Sequence, residues 1–379
     1  MSSPSQSKLF QPIQVGGVRL QHRIVLAPLT RLRATLKHEP GPTAVTYYSQ
    51  RASVPGTLLI TEGTTISAKA GGFSPSPHTP GIWSDAQIAE WKKVVEAVHA
   101  KGSFIFVQLT AMGRAAEPSI LALDDPSLPY VGPSDIPIGY RDHEAPRPLT
   151  IPEIKEYISD FATAASNAVH RAGFDGVEIH GANGYLVDQF LQSNSNNRTD
   201  EYGGSVDNRI RFALEVADAL VKSVGAEKVG IRLSPWSTFQ DMGMPDPIPT
   251  FRELVTRLRD AHSDLAFIHV VEPRISGAAD RKAEVGESTD FLREIWGPRP
   301  YLAAGGFNRE EAIKTADKKG GLIVFGRDFI SNPDLPLRLL KGIPLSGYDR
   351  ATFYIQDGVK GYIDYPFAAE AREGIITNA

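Results

Sequence analysis

An imidazole, an amide and a phenol fall within six residues of one another: His180, Asn183 and Tyr185, in the stretch His180-Gly181-Ala182-Asn183-Gly184-Tyr185. Three polar groups so close together suit a polar ligand, and they equally suit an Asx-turn beside a core tyrosine. Elsewhere the chain offers Thr30, Gln108 and Arg232 at the ends of apolar runs, and the tracts Ala303-Ala304-Gly305-Gly306 and Phe325-Gly326-Arg327. His269 and Glu272 allow a small acid–base pair or a core histidine with an ion-paired glutamate, and the second is the more economical reading.

Other chemistries find no residues to carry them. The nine histidines show no H-E-x-x-H or comparable ligand spacing, so no metal site is expected. Neither G-x-S-x-G, a P-loop nor G-x-G-x-x-G occurs. The absence of cysteine removes disulfides, thiolate metal sites and a thiol nucleophile together. A net charge of −4 and no long run of like charge leave no footprint for nucleic acid or an anionic membrane. With 41% hydrophobic and 22% charged residues among 379, the chain can bury a large core. No apolar stretch approaches the roughly 18 residues needed to cross a bilayer, and the start MSSPSQSKLF lacks a basic n-region and an apolar h-region, so a cytoplasmic location is expected.

The elements that must position these groups recur regularly. Eight runs rich in β-branched residues fall at 24–30, 57–63, 103–109, 176–182, 229–235, 266–272, 301–307 and 321–327. Their near-continuous apolar character suits strands buried on both faces. Helix signals separate several of them. Ser84 precedes Ile88, Trp91, Val94, Val95 and Val98 at helical spacing; Thr150 and Glu153 form a capping-box pattern ended by Gly173; Ser205 and Asn308 open two more. Eight strands alternating with helices predict an α/β fold, a single (β/α)8 TIM barrel spanning residues 1–379. Residues 8–22 read as a β-hairpin turning at Gly16-Gly17 that plugs the lower end. Residues 110–149 and 183–205 read as long mouth loops, and 348–379 as a C-terminal cap and tail.

On such a barrel the C-terminal strand ends bring Thr30, Gly63, Gln108, His180 with Asn183, Arg232, Glu272, Gly305-Gly306 and Gly326-Arg327 into one ring. Polar side chains ending apolar strands need partners, and so many together favour a polar ligand. The tracts ending strands seven and eight lie where barrels bind phosphate through backbone N–H groups, with Arg327 as a bidentate partner. Gln108, Arg232 and Thr30 then serve a flat heterocycle. A phosphate tethered to a hydrogen-bonding ring describes a mononucleotide cofactor.

The residues carry a resemblance as well. Ala27-Pro28-Leu29-Thr30-Arg31, Gln108-Leu109, the stretch from His180 through Asn197-Arg198-Thr199-Asp200-Glu201-Tyr202-Gly203-Gly204, Arg232-Leu233-Ser234-Pro235, Phe325-Gly326-Arg327 and Gly361-Tyr362-Ile363-Asp364-Tyr365-Pro366 occur in order. From about residue 8 to about residue 367 the chain resembles the Old Yellow Enzyme family of FMN-dependent ene reductases, in its yeast- and plant-like branch, with a fungal source expected. The resemblance implies noncovalent FMN, with Thr30 tuning the flavin, Pro28, Leu29 and Gly63 beside it, Gln108 and Arg232 on its pyrimidine part, and Gly305, Gly306, Gly326 and Arg327 on its phosphate. It implies that His180 and Asn183 donate to a substrate carbonyl oxygen, that Tyr185 gives the proton, and that Phe239 and Tyr354 line the pocket. The implied activity is reduction of α,β-unsaturated aldehydes or ketones by NADPH in a ping-pong cycle. A pathway-specific reductase or isomerase of a secondary-metabolite enal, and a flavin- or ligand-binding barrel without turnover, are the alternatives. The partner is then a small α,β-unsaturated carbonyl compound, with no nucleic acid and no membrane, and the protein is a monomer or homodimer.

The family pattern is not met everywhere. Many members carry Trp after Gln-Leu where this chain has Thr110, which changes the expected substrate pocket. One subgroup uses a cysteine where Thr30 stands. In some fungal relatives Phe replaces the proton donor and the outcome is isomerisation, so Tyr185 argues for net reduction.

Overall fold

The computed structural model describes residues 6–142 and 144–370. Eight parallel strands form a closed barrel: β1 (Ile24–Leu26), β2 (Leu58–Ile60), β3 (Phe104–Thr110), β4 (Gly176–Gly181), β5 (Val229–Leu233), β6 (Phe267–Val271), β7 (Tyr301–Ala304) and β8 (Leu322–Phe325). Each strand pairs with the next, and β8 closes on β1 with Val324 opposite Val25. The (β/α)8 expectation holds. Outside the strands run α1 (Ala44–Arg51), α2 (Asp85–His99), α3 (Ile151–Ser166), α4 (Val206–Val224), α5 (Ile248–Ala261), α6 (Asp290–Trp296), α7 (Arg309–Lys319) and α8 (Leu335–Lys341).

The local signals explain where the helices begin. Ser84 accepts from the Gln87 backbone while Gln87 answers with its side chain, and Thr150 with Glu153 and Asn308 with Glu311 do the same. Ser205 caps α4 through the Asn208 backbone. Along α2 the spaced residues Ile88, Trp91, Val94, Val95 and Val98 are all buried against the barrel. Each such burial stabilises by roughly 1.5–3 kcal/mol.

Two apolar layers result. One fills the space between strands and helices. The other fills the barrel and continues into the hairpin Ile13–Val15 with Val18–Leu20, where Val15, Val18 and Leu20 pack with Phe106, Phe267 and Leu302. The hairpin is the plug that the sequence suggests. Inside the barrel small and large residues alternate: a Cβ added at Gly230 would lie 2.3 Å from the Phe267 ring, and one at Gly176 would lie 2.4 Å from the Phe106 ring. Those two glycines make room for the Phe106–Phe267 pair, whose ring centroids are 5.5 Å apart.

The expectations need correction in the loops. The segment 110–149 contains a helix, Pro118–Asp124, and a short parallel pairing of Val131–Gly132 with Arg147–Pro148. The segment 183–205 is not all loop, because Leu186–Leu191 forms a helix packed entirely in the interior. After β6 stands a hairpin that the sequence reading missed, Ile275–Ser276 against Ala279–Asp280. From 348 the chain runs through a 3-10 turn at Arg350–Thr352 as far as residue 370, while residues 1–5 and the tail 371–379 lie outside the described residues.

Gly230→Ala should lower stability by about 1–3 kcal/mol through overpacking. Adding Phe267→Leu should return part of that loss, so denaturant midpoints of the pair should fall short of the sum of the singles. Full additivity would show that the ring does not press on Gly230.

Candidate active site

Every barrel strand delivers residues to one cleft at its C-terminal end. Two adjoining chambers, of about 280 and 380 Å³, share Leu29, Thr30, Arg232, Gly277, Ala278 and Tyr354. The smaller is walled by Gly305, Gly306, Gly326 and Arg327 from β7 and β8. The larger is walled by Pro28, Gly63, Gln108, Thr110, His180, Asn183, Tyr185 and Phe239. All the candidate residues taken as cofactor- or substrate-facing therefore meet, although they come from the ends of seven strands, the loop after β5 and the C-terminal cap.

Strand parity places His180 inside the barrel, two residues beyond the equally inward Glu178. Its Nδ1 is buried with no partner. Burial, with Arg232 and His269 nearby, holds the imidazole well below its usual range, so it is neutral. Tyr185 packs edge-on against it with centroids 4.7 Å apart, and burial raises the phenol while Arg141 opposes the rise. The phenol therefore keeps its proton.

Asn183 takes a left-handed backbone, φ 57°, which asparagine tolerates better than most residues. Its N–H donates to Ser234 Oγ at 2.8 Å, its carbonyl accepts from Gln240 Nε2 at 2.8 Å, and its Oδ1 is buried unpartnered. The next residue, Gly184, donates to Asp188 Oδ2 at 2.8 Å. Burial pushes the Asp188 carboxyl up to about 7 against hydrogen bonds from Gln192 and Gly184. The turn is thus fastened by its backbone, and its two side chains stay available to the cleft.

The barrel floor is polar in one layer only. Glu178, fully buried, accepts from Gln108 Nε2 at 2.7 Å and from His269 Nδ1 at 2.7 Å. His269 accordingly pairs with Glu178 and not with Glu272. Glu272 itself turns away from the ring and accepts from Thr289 Oγ1 at 3.1 Å. Above the floor, Arg232 Nε and Thr110 Oγ1 are buried without partners. A hydrogen-bonding ring meeting the Gln108 amide and the Arg232 guanidinium would fill these vacant valences.

The anion corner is equally specific. A Cβ at Gly305 would lie 2.7 Å from the Glu272 Cβ, and Gly306 has φ 62°, so both positions favour glycine and bring backbone to the cleft surface. Arg327 does not wait with free donors: its two terminal nitrogens hold the Asp280 carboxylate at 2.6 and 2.5 Å. An anion here would share the guanidinium with Asp280 or displace it. Donor ring, glycine cradle and cation together fit FMN.

Several lining residues escaped the sequence reading. Phe73, Ser74, Pro75 and Met112 come from loops with no local signature, and Gly277 and Ala278 come from the missed hairpin, whose Ser276-Gly277 turn was its only trace. Gln240 supports Asn183 from an unusual position: Gln240 and Asp241 both have left-handed backbones, φ 62° and 56°. Arg114 holds the carbonyls of both at 2.9 and 3.2 Å. Such strain persists where its surroundings over-determine it, commonly at functional sites.

Known proteins agree with this geometry. Residues 8–346 match the family model described as NADH:flavin oxidoreductase / NADH oxidase family. A chanoclavine-I aldehyde reductase of Penicillium roqueforti is 51% identical over 374 residues, 97% of this chain and 99% of that one. A protein of Epichloe festucae var. lolii described as a probable inactive reductase is 49% identical over 97% of each chain. Among solved structures, Old Yellow Enzyme from Pichia sp. is similar with a TM-score of 0.88 and 37% identity, over 96% of this chain and 95% of that one. No helix among the described residues is long and apolar enough to cross a membrane. With the barrel, the ring of strand-end residues and these matches in agreement, the chain belongs to the NADH:flavin oxidoreductase / NADH oxidase family, the family of Old Yellow Enzyme, and is an oxidoreductase of that family.

Proposed function

We propose that this protein is an FMN-dependent ene reductase that reduces the activated C=C bond of α,β-unsaturated aldehydes or ketones with NADPH by a ping-pong mechanism. The observation that carries the proposal is the convergence of His180, Asn183 and the protonated phenol of Tyr185 on one chamber, with the Asn183 Nδ2–H group as the donor its side chain offers. FMN, when bound, would supply a hydride, the two electrons and hydrogen taken from NADPH, to the alkene β carbon. His180 and Asn183 would donate to the carbonyl oxygen, where negative charge gathers, as an oxyanion hole does. Tyr185 would give its proton to the α carbon, completing a saturated carbonyl product. Gln108, Arg232 and Thr30 would hold the flavin ring, with Pro28, Leu29 and Gly63 beside it. Gly305, Gly306, Gly326 and Arg327 would hold its phosphate. Phe239, Tyr354 and Thr110 would shape the substrate chamber.

The similarity to an aldehyde reductase supports an aldehyde substrate, and a bulky enal of one secondary pathway is the narrower version of the same reading. A second reading, a flavin-binding barrel without turnover, is favoured by the description of several relatives as probably inactive. The two part in one assay. Purified protein should be yellow, be bleached anaerobically by NADPH and be recoloured by an enone. Protein that takes up no FMN would overturn the proposal; yellow protein that is bleached but never recoloured would favour the second reading.

Tyr185→Phe should leave bleaching nearly unchanged and slow recolouring by roughly 10² or more, because only the second half-reaction needs the proton. Equal loss in both half-reactions would make Tyr185 structural.

Since burial holds the His180 imidazole well below 6.5, it takes up a proton only at pH well below that value and stays neutral at every higher pH. Binding of a neutral enone should therefore be flat from pH 6.5 to 8. An affinity that falls with a midpoint inside this window would show a charged imidazole.

Thr110 is buried and its methyl would lie 3.4 Å from a Cβ added at Gly63, so it faces the chamber. Thr110→Trp should reject bulky β-substituted enals by about 1–3 kcal/mol while small enones are still reduced. The ratio of kcat/KM for a bulky against a small enone measures this, and an unchanged ratio would move substrate choice to the 111–149 loop.

A further inference from the structure

Glu178 stands in the middle of the barrel, fully buried, and lines neither chamber. A carboxylate in such a place is costly unless partnered, and the layer beneath it is apolar, with Phe106 and Phe267. Its partners are inward-facing residues of the two adjacent strands, β3 and β5, and of β6 beyond them. Gln108 lies opposite it in the β3–β4 register and donates Nε2–H to Oε1 at 2.7 Å. His269 donates Nδ1–H to Oε2 at 2.7 Å, leaving its own Nε2 buried without a partner. Arg232, opposite His269 in the β5–β6 register, brings the balancing charge.

Two consequences follow. An amide has one donor end and one acceptor end, and the carboxylate takes the donor end of Gln108. The end left for the cleft is Oε1, which would lie 3.5 Å from a Cβ at Gly63 on the chamber wall. Glu178 also places a negative charge directly below the ring of groups offered to the cofactor, in surroundings where charge is weakly screened.

We propose that Glu178 is a positioning residue for the cofactor, fixing Gln108 with its carbonyl toward the cleft and lowering the flavin reduction potential through its buried charge. The proposal rests on the FMN reading above. Two substitutions separate its two parts. In Glu178→Gln the new amide can still accept from Gln108 while donating to His269, which changes tautomer; the charge is lost and the orientation of Gln108 is kept. In Glu178→Leu both are lost.

The experiment measures the dissociation constant of FMN from apoprotein and the reduction potential of bound FMN in wild type and both variants. Glu178→Gln should bind FMN within a few-fold of wild type and shift its potential in the positive direction, because a reduced, more negative flavin no longer faces a buried anion. Glu178→Leu should show the same direction of shift and weaken FMN binding by at least about tenfold, the loss expected when a hydrogen bond involving a charged group is broken. If Glu178→Leu does not fold, the potential of Glu178→Gln decides. Wild-type protein that takes up no FMN would overturn the functional reading and this inference with it. Normally loaded wild type beside an unmoved potential in Glu178→Gln would overturn the inference alone, and unmoved FMN affinity in folded Glu178→Leu would overturn the orienting part.

Discussion

Two hydrogen bonds of 2.7 Å, from Gln108 and His269 to the Glu178 carboxylate, divide the barrel into a lower half that excludes polarity and an upper half that requires it. Below them Phe106, Phe267 and the hairpin residues Val15 and Leu20 close the interior as an ordinary apolar core. Above them His180 Nδ1, Arg232 Nε and Thr110 Oγ1 have no partner among the described residues. Leaving buried polar atoms unpaired typically costs about 1–3 kcal/mol each, so a barrel that keeps several together is built for something else to complete it. Glu178 makes that layer sustainable, since a carboxylate compensates the buried guanidinium that would otherwise stand alone.

The walls around this layer are made rigid by backbone rather than by the side chains that face the cleft. Asp188, Ser234 and Gln240 each take a main-chain group of the 183–184 turn, so no cleft-facing atom of Asn183 is spent on structure. The support continues outward: Arg114 grips the strained Gln240-Asp241 pair, and Asn194 and Gly139 fasten Asp241 from two different mouth segments. The long loops thus work as one scaffold around the turn. Precision at the carbonyl-facing donors follows, because a displaced donor loses most of its value to a developing charge.

The lid is held by a comparable device. Arg31 and Arg33 reach from the end of β1 to the carbonyls of Thr352, Phe353, Lys360 and Gly361, and Arg51 reaches those of Ile330 and Tyr362. The Tyr47 and Tyr362 rings, stacked 4.2 Å apart, receive the guanidinium faces of Arg31 and Arg51. These contacts bring the C-terminal segment back across the barrel and seat Tyr354 on the cleft. On the other side the Arg327–Asp280 ion pair draws the 275–280 hairpin down over the anion corner.

By itself the sequence determined the barrel, its plug and the starts of its helices, because buried parallel strands, capping boxes and hairpin turns are local signals read within a dozen residues. It also determined which strand ends carry polar groups, and a resemblance spread over six stretches assigned them to a family. Tertiary structure alone decided the pairings. Glu178 reads as one polar interruption in an apolar run, and only barrel closure reveals that Gln108 and His269, 70 and 91 residues away, converge on it. The same closure sends Glu272 to Thr289 and hands Arg327 to Asp280, a partner on a hairpin with almost no sequence signature. The reason is physical: strand and helix follow from periodicity along the chain, whereas the partner of a buried charge is whichever group the fold brings near, and nothing in the spacing of residues records it.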